Sequence, residues 1–189
     1  MRAFIAIEIP AALKDGVAAA QSRLKGAGVD ASWPRPEGVH LTLKFLGEVG
    51  EGRAPEIMQS LALTLIDTKR FRLRLEGIGT FPNPASARVV WLGITGDVEK
   101  LVALQAAIEH AMAGLGLETD GRPYTPHLTL GRIRNIRDRA AWSRGLEGVR
   151  DFKLPGFDAT SISLIRSELK PTGALYRELG KVSFHQERD

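Results

Sequence analysis

Apolar and polar positions change period several times along the chain, and the changes mark its elements. Residues 3–9 alternate strictly, with Ala3, Ile5, Ile7 and Ile9 on one face and Phe4, Ala6 and Glu8 on the other, which predicts a strand. Pro10 stands where a helix-opening proline would, and 11–25 reads as a helix closed near Gly26 and Gly28. Residues 29–39 read as a loop carrying Trp33, and a strand follows from His40 to about Gly47. Pro55 opens a second helix over 56–67, and 71–78 alternates as a strand with Phe71, Leu73 and Leu75 inward. A tight loop at 81–84 leads to a strand over 88–95, and Asp97 is placed to cap a third helix over 98–115. A strand from about Thr125 runs into the basic stretch 132–139, and a short helix follows over 139–146. Two last strands, 157–169 and 175–184, flank a turn at 171–173, and the tail 186–189 reads as frayed.

The pattern is a coarse repeat of strand, helix, strand, and the third member of each unit carries the same tetrapeptide. His40-Leu41-Thr42-Leu43 and His127-Leu128-Thr129-Leu130 lie about half a chain apart. Each leaves a proline-bearing turn segment, 34–38 before the first and 121–126 before the second. Successive side chains in a strand point to opposite faces. Each His-x-Thr therefore sets an imidazole beside a hydroxyl on one face and both leucines on the other. Two such strands side by side would converge four polar groups on one cleft. An internal duplication with two pseudo-symmetric lobes follows from the repeat, with the cleft on the pseudo-axis.

Composition narrows the chemistry. The 189 residues suit one domain or two small lobes sharing a core, and 43% hydrophobic with 25% charged residues is ordinary for a globular protein. No stretch reaches the apolar length of a membrane span, and residues 1–10 lack the features of a signal peptide. The absence of cysteine removes disulfide and thiolate chemistry and suits a cytoplasmic protein. With 26 basic against 22 acidic residues, the charge of +4 favours phosphate esters or RNA ends over a long duplex.

A single histidine on a strand is ordinarily structural, as His110 and His185 read here. Two of only four histidines in one repeated tetrapeptide are another matter. Zinc would need three or four ligands, and no His-x-x-x-His spacing or cysteine supplies them. Neither threonine has the partners that would activate it as a nucleophile. A binding module would take arginines, lysines or amides in preference to neutral imidazoles. Paired acid–base chemistry on a phosphodiester fits best, one imidazole accepting a proton while the other donates one. Thr42 and Thr129 would hydrogen-bond the non-bridging oxygens, and no metal or other cofactor is called for.

These residues resemble the two-histidine phosphoesterases, specifically the RNA 2′,3′-cyclic phosphodiesterases also known as 2′-5′ RNA ligases. The resemblance rests on Arg2 to Ile7, on the run from Trp33 to Gly47, on Pro123 to Arg132, and on Leu164 to Leu169 with Gly173 to Tyr176. It implies an α/β fold of two lobes, each an antiparallel sheet flanked by helices, forming a single bilobed domain. It implies an RNA or nucleotide 2′,3′-cyclic phosphate as substrate, opened to a 2′-phosphomonoester. Separately, no large exposed apolar stripe stands out, which leads us to expect a monomer. Within that scheme His40 is assigned as the acid and His127 as the base, although the mirror assignment satisfies the sequence almost equally. A small substrate such as a cyclic phosphate of ADP-ribose also satisfies it.

Further expectations attach to single positions. Lys44, on the face of His40 and Thr42, would steer the phosphate or stand solvated at the cleft rim, whereas Phe45 falls on the leucine face and reads as core. Arg132 matches a phosphate-binding position in the family, but strict alternation turns it away from His127 unless a bulge at Gly131 intervenes. Phe4 would line the cleft, stack on a base or pack locally, and Trp33 and Tyr124 are candidate base platforms or loop anchors.

Overall fold

Among the described residues, nine strands and four α-helices carry the expected pattern, with additions that matter for the site. The structure is a computed structural model that describes residues 1–170 and 173–185. Of the turn expected at 171–173, only Gly173 falls within that range, and the tail 186–189 lies outside it. In chain order the elements are β1 (Arg2–Glu8), α1 (Ala11–Lys25), β2 (Val29–Ser32), β3 (His40–Glu48), α2 (Ala54–Thr64), β4 (Phe71–Phe81) and β5 (Val89–Gly96). There follow α3 (Val98–Gly114), β6 (His127–Ile136), α4 (Arg139–Glu147), β7 (Phe157–Ala159), β8 (Ser161–Lys170) and β9 (Gly173–Ser183).

The strands form two antiparallel sheets, ordered β3-β1-β8-β9 and β2-β6-β5-β4-β7. Each sheet contains one His strand. Leu41, Leu128 and Leu130 are fully buried, as the alternation requires, and join one hydrophobic cluster drawn from both sheets. Burying a leucine of this kind stabilises the fold by about 1.5–3 kcal/mol, so the leucine faces fix which side of each strand the histidines must take.

The lobes are not the two halves of the chain. Helix α1 follows a strand of the first sheet but packs on β6 and α4, where Gln21 donates to the carbonyls of Leu130 (3.0 Å) and Pro34 (2.8 Å). Helix α3 follows a strand of the second sheet but packs on β3 and α2. The C-terminal strands β8 and β9 complete the first sheet. The expected strand over 157–169 is two strands, β7 in one sheet and β8 in the other, and β2 lies inside the expected loop. Asp97 precedes α3 as expected, but its carboxylate accepts from the Arg72 amide of β4 at 2.9 Å and makes no side-chain cap to the helix.

Candidate active site

Each His strand carries the same irregularity at the same place. On β3 the pairing with β1 slips between Lys44 and Thr42, and Leu43 and Lys44 are buried in succession. On β6 the pairing with β5 slips between Gly131 and Thr129, and Leu130 and Gly131 are buried in succession. A bulge one residue beyond each His-x-Thr therefore reverses the alternation that follows. Phe45 and Arg132, the next residues, emerge on the side of the histidines and are exposed.

The first bulge overturns two expectations. Lys44 does not face the cleft: its ammonium is buried against Glu109 Oε1 on α3 at 2.7 Å and the Glu118 carbonyl at 2.7 Å. Phe45 is not core but 60% exposed, beside Phe4. The second bulge supplies the relaxation at Gly131 that Arg132 needed. Gly131 cannot carry a side chain there, since a Cβ would lie 2.7 Å from the Trp33 ring.

His40 is half-buried at the start of β3. Its ring stacks on Phe4 (centroids 5.3 Å, 17° between planes) and meets Tyr176 of β9 edge-on at 4.8 Å. Phe4 is nearly fully buried, so it backs the imidazole from below and offers no free face to a base. Burial pushes the His40 pKa below the ordinary imidazole range, and the Lys14 ammonium adds to that effect. The Val39 carbonyl and Glu8 oppose it. Nε2 of His40 is shielded from solvent and has no hydrogen-bond partner among the described residues. The ring also forms part of the wall of an open cavity of about 460 Å³ that includes Glu8, Lys14, Asp158 and Lys181.

His127, at the start of β6, lies edge-on to Phe81 at 5.1 Å, and its Nδ1 is 2.7 Å from the Thr125 carbonyl. A carbonyl only accepts, so Nδ1 carries the proton and the neutral ring keeps a lone pair on Nε2. Thr42 and Thr129 are half-buried two residues beyond their histidines, opposite Ala6 and Trp91 respectively. The two His strands touch across the lobes, and the Tyr124 hydroxyl ties them by donating to the Thr42 carbonyl at 3.0 Å. Burial holds that phenol well above its usual pKa, in its protonated, donating form. Trp33 and Tyr124 both pack against the core as anchors of the loops before the His strands.

Phe45 and Tyr176 lie in stretches that carry the family resemblance but were not read as site residues, and Phe81 lies in no motif. Phe45 was hidden by the bulge, and Tyr176 meets His40 from β9, a contact distant in sequence that leaves no local signature. Among the described residues, no group of three or more histidine, cysteine or acidic side chains is arranged to hold a metal ion. No helix of the structure is long and apolar enough to cross a membrane.

Paired His-x-Thr strands, one on each of two antiparallel sheets that meet at those strands, define the two-histidine phosphoesterase class. A family model described as the 2′-5′ RNA ligase superfamily matches residues 10–171, and the chain belongs to that family. It is 35% identical over 179 residues to an RNA 2′,3′-cyclic phosphodiesterase of Methanothermobacter thermautotrophicus, covering 95% of this chain and 96% of that one. A protein of the same name from Thermotoga maritima is 30% identical over 184 residues, covering 97% and 96%. Among solved structures, one from Thermus thermophilus superposes with a TM-score of 0.80 at 27% identity over the whole of both chains. Escherichia coli LigT complexed with 3′-AMP superposes with a TM-score of 0.78 at 23% identity, over 98% of each chain, a likeness of fold.

Proposed function

We propose that the protein is an RNA 2′,3′-cyclic phosphodiesterase that opens a terminal ribose 2′,3′-cyclic phosphate to a 2′-phosphomonoester. The observation that carries this reading is the repeated device itself: imidazole, hydroxyl and bulge on two strands that meet. In the forward reaction His127 Nε2 takes a proton from the attacking water as its oxygen bonds to phosphorus. The P–O3′ bond breaks, and His40 delivers its proton to O3′. Desolvation makes the His40 imidazolium a stronger acid, which suits a donor to an alkoxide, at the cost of a smaller protonated fraction at neutral pH. The hydroxyls of Thr42 and Thr129 and the guanidinium of Arg132 hold the non-bridging oxygens, whose charge the transition state keeps. With a 5′-hydroxyl in place of water, the same site makes a 2′-5′ linkage: His127 takes the hydroxyl proton as O5′ bonds to phosphorus, P–O3′ breaks and His40 protonates O3′. In the reverse cleavage of that linkage the histidines exchange roles. The exposed faces of Phe45 and Tyr176 beside His40 seat the terminal nucleoside.

The names of the curated relatives, which match most of their length, support the substrate class. In this reading the whole chain acts as one monomeric unit, and its lack of cysteine fits a cytoplasmic setting. The test is a product assay on a short RNA ending in 2′,3′-cyclic phosphate, with wild type, His40→Ala and His127→Ala. Wild type should yield a 2′-phosphate, and each variant should lose about 10²–10⁴-fold in rate while keeping its circular dichroism spectrum. Well-folded wild type that binds such an end without turning it over would instead be a binding module.

A further inference from the structure

Beyond its bulge, β6 continues away from His127 as a row of arginines. Arg132 and Arg134 are exposed on either side of buried Ile133, and Arg137 follows just past the strand end. Two more arginines reach the same end of the sheet: Arg88 donates to the Arg134 carbonyl (3.3 Å), and Arg139 to the Ala85 carbonyl (3.0 Å). Their carbonyl partners are neutral, so these bonds orient the guanidiniums without cancelling their charge. Asp30 is shared between Arg134 (2.8 Å) and Arg137 (3.6 Å), and Asp138 is engaged in capping α4 at the Ala141 amide (2.9 Å). Five guanidiniums thus face two carboxylates, and the excess lies in line with the phosphate position at Thr129 and Arg132. On the neighbouring strands Trp91 pairs with Thr129, and Phe81 packs against it at 5.2 Å, adding aromatic surface beside the charge. Aromatic rings at the His127 end and a basic track leading away from them are what a single-stranded polynucleotide end needs, its terminal base on the first and its upstream phosphates on the second.

We propose that the RNA strand leading into the terminal cyclic phosphate runs along β6, with its next phosphates over Arg134 and Arg137. An RNA end, not a cyclic mononucleotide, is then the preferred substrate. This rests on the reaction assigned above, and the test separates the two. Wild-type kcat/KM is measured on a nucleoside 2′,3′-cyclic phosphate and on a tetranucleotide with the same terminal nucleoside, from about 50 to about 200 mM salt. The tetranucleotide should be favoured about 10-fold at low salt, and its log–log salt dependence should be steeper by about 0.7 per phosphate engaged, or about 1.4 for two. In the Arg134→Gln, Arg137→Gln double variant the tetranucleotide should lose most of that advantage and slope, and the mononucleotide should stay within about twofold. Asp30→Asn, which frees both guanidiniums, should raise kcat/KM for the tetranucleotide alone. If the Asp30 pairs served the fold only, Asp30→Asn would bring no such gain, and that result would overturn the proposal. Turnover of both substrates with equal efficiency and parallel salt slopes would overturn the strand path and leave the reaction standing. Turnover of neither would overturn the reaction and this inference with it.

Discussion

His40 is held between Phe4 and Tyr176, and its environment has a consequence that can be read without any substrate. Its folded-state pKa lies below the unfolded value because burial penalises the imidazolium and Lys14 repels it. An unfolded histidine titrates at about 6.5. As the pH falls through that value, the unfolded chain takes up the proton before the folded one does. The unfolded state then binds more protons, so stability rises with pH across this window. The contribution of His40 is therefore fully present above about pH 6.5 and is lost as the pH falls toward its folded pKa. Urea midpoints of wild type should drop more steeply between neutral pH and about pH 5 than those of His40→Phe, which keeps an aromatic ring on Phe4. Equal slopes for the two proteins would show that His40 is not desolvated in solution.

At the scale of elements, the bulges explain both what the sequence showed and what it hid. The alternation of His40, Leu41, Thr42 and Leu43, and of the second copy, was legible because period-two patterning states which face is buried. Beyond Leu43 and Leu130 the same rule misled, since one extra residue in a strand flips every later side chain. Phe45 therefore read as core and Lys44 as a cleft residue, and the structure exchanges them. The bulge turns Lys44 into a tie between β3, α3 and the loop entering β6. Glu109 meets the Lys44 ammonium and also accepts from the Asp120 amide at 2.9 Å. Removing one member of a buried ion pair leaves the other charged and unpaired, at a cost of about 3–5 kcal/mol. The Glu109 side chain keeps 20% exposure, which puts Lys44→Met toward the lower figure, about 3 kcal/mol by urea denaturation. Lys44→Met with Glu109→Leu should recover part of that loss. A cost below about 1 kcal/mol for the single variant would place the pair with ordinary surface ion pairs.

For the whole molecule, the sequence repeat conveyed two lobes and a cleft but not how they interlock. Helices α1 and α3 each cross from the sheet whose strand precedes them to the other sheet, and β8 returns from the far end of the chain to pair with β1. Such long-range pairing leaves no local signature, so neither β2 nor the division of 157–169 between sheets was readable from pattern. Interlocking makes the relative placement of the His strands a property of the entire fold, and the Tyr124 hydroxyl, on the loop entering β6, hydrogen-bonds that loop to β3 at the Thr42 carbonyl. Tyr124→Phe removes only a hydroxyl and should cost about 1 kcal/mol of stability. Its effect on rate should be larger than its effect on binding. Thr42 and His40 share a short stretch of β3, and in the proposed reaction a small shift of that strand against β6 would misalign donor and acceptor across the phosphate; misplacement by about 1 Å can cost about 100-fold. We expect kcat to fall about 10-fold with KM within about twofold, measured on the cyclic-phosphate RNA. A loss of stability with kcat unchanged would make Tyr124 an anchor of its own loop and nothing more. A fall in kcat with the fold intact would identify the phenol as the group that sets the spacing of the two imidazoles.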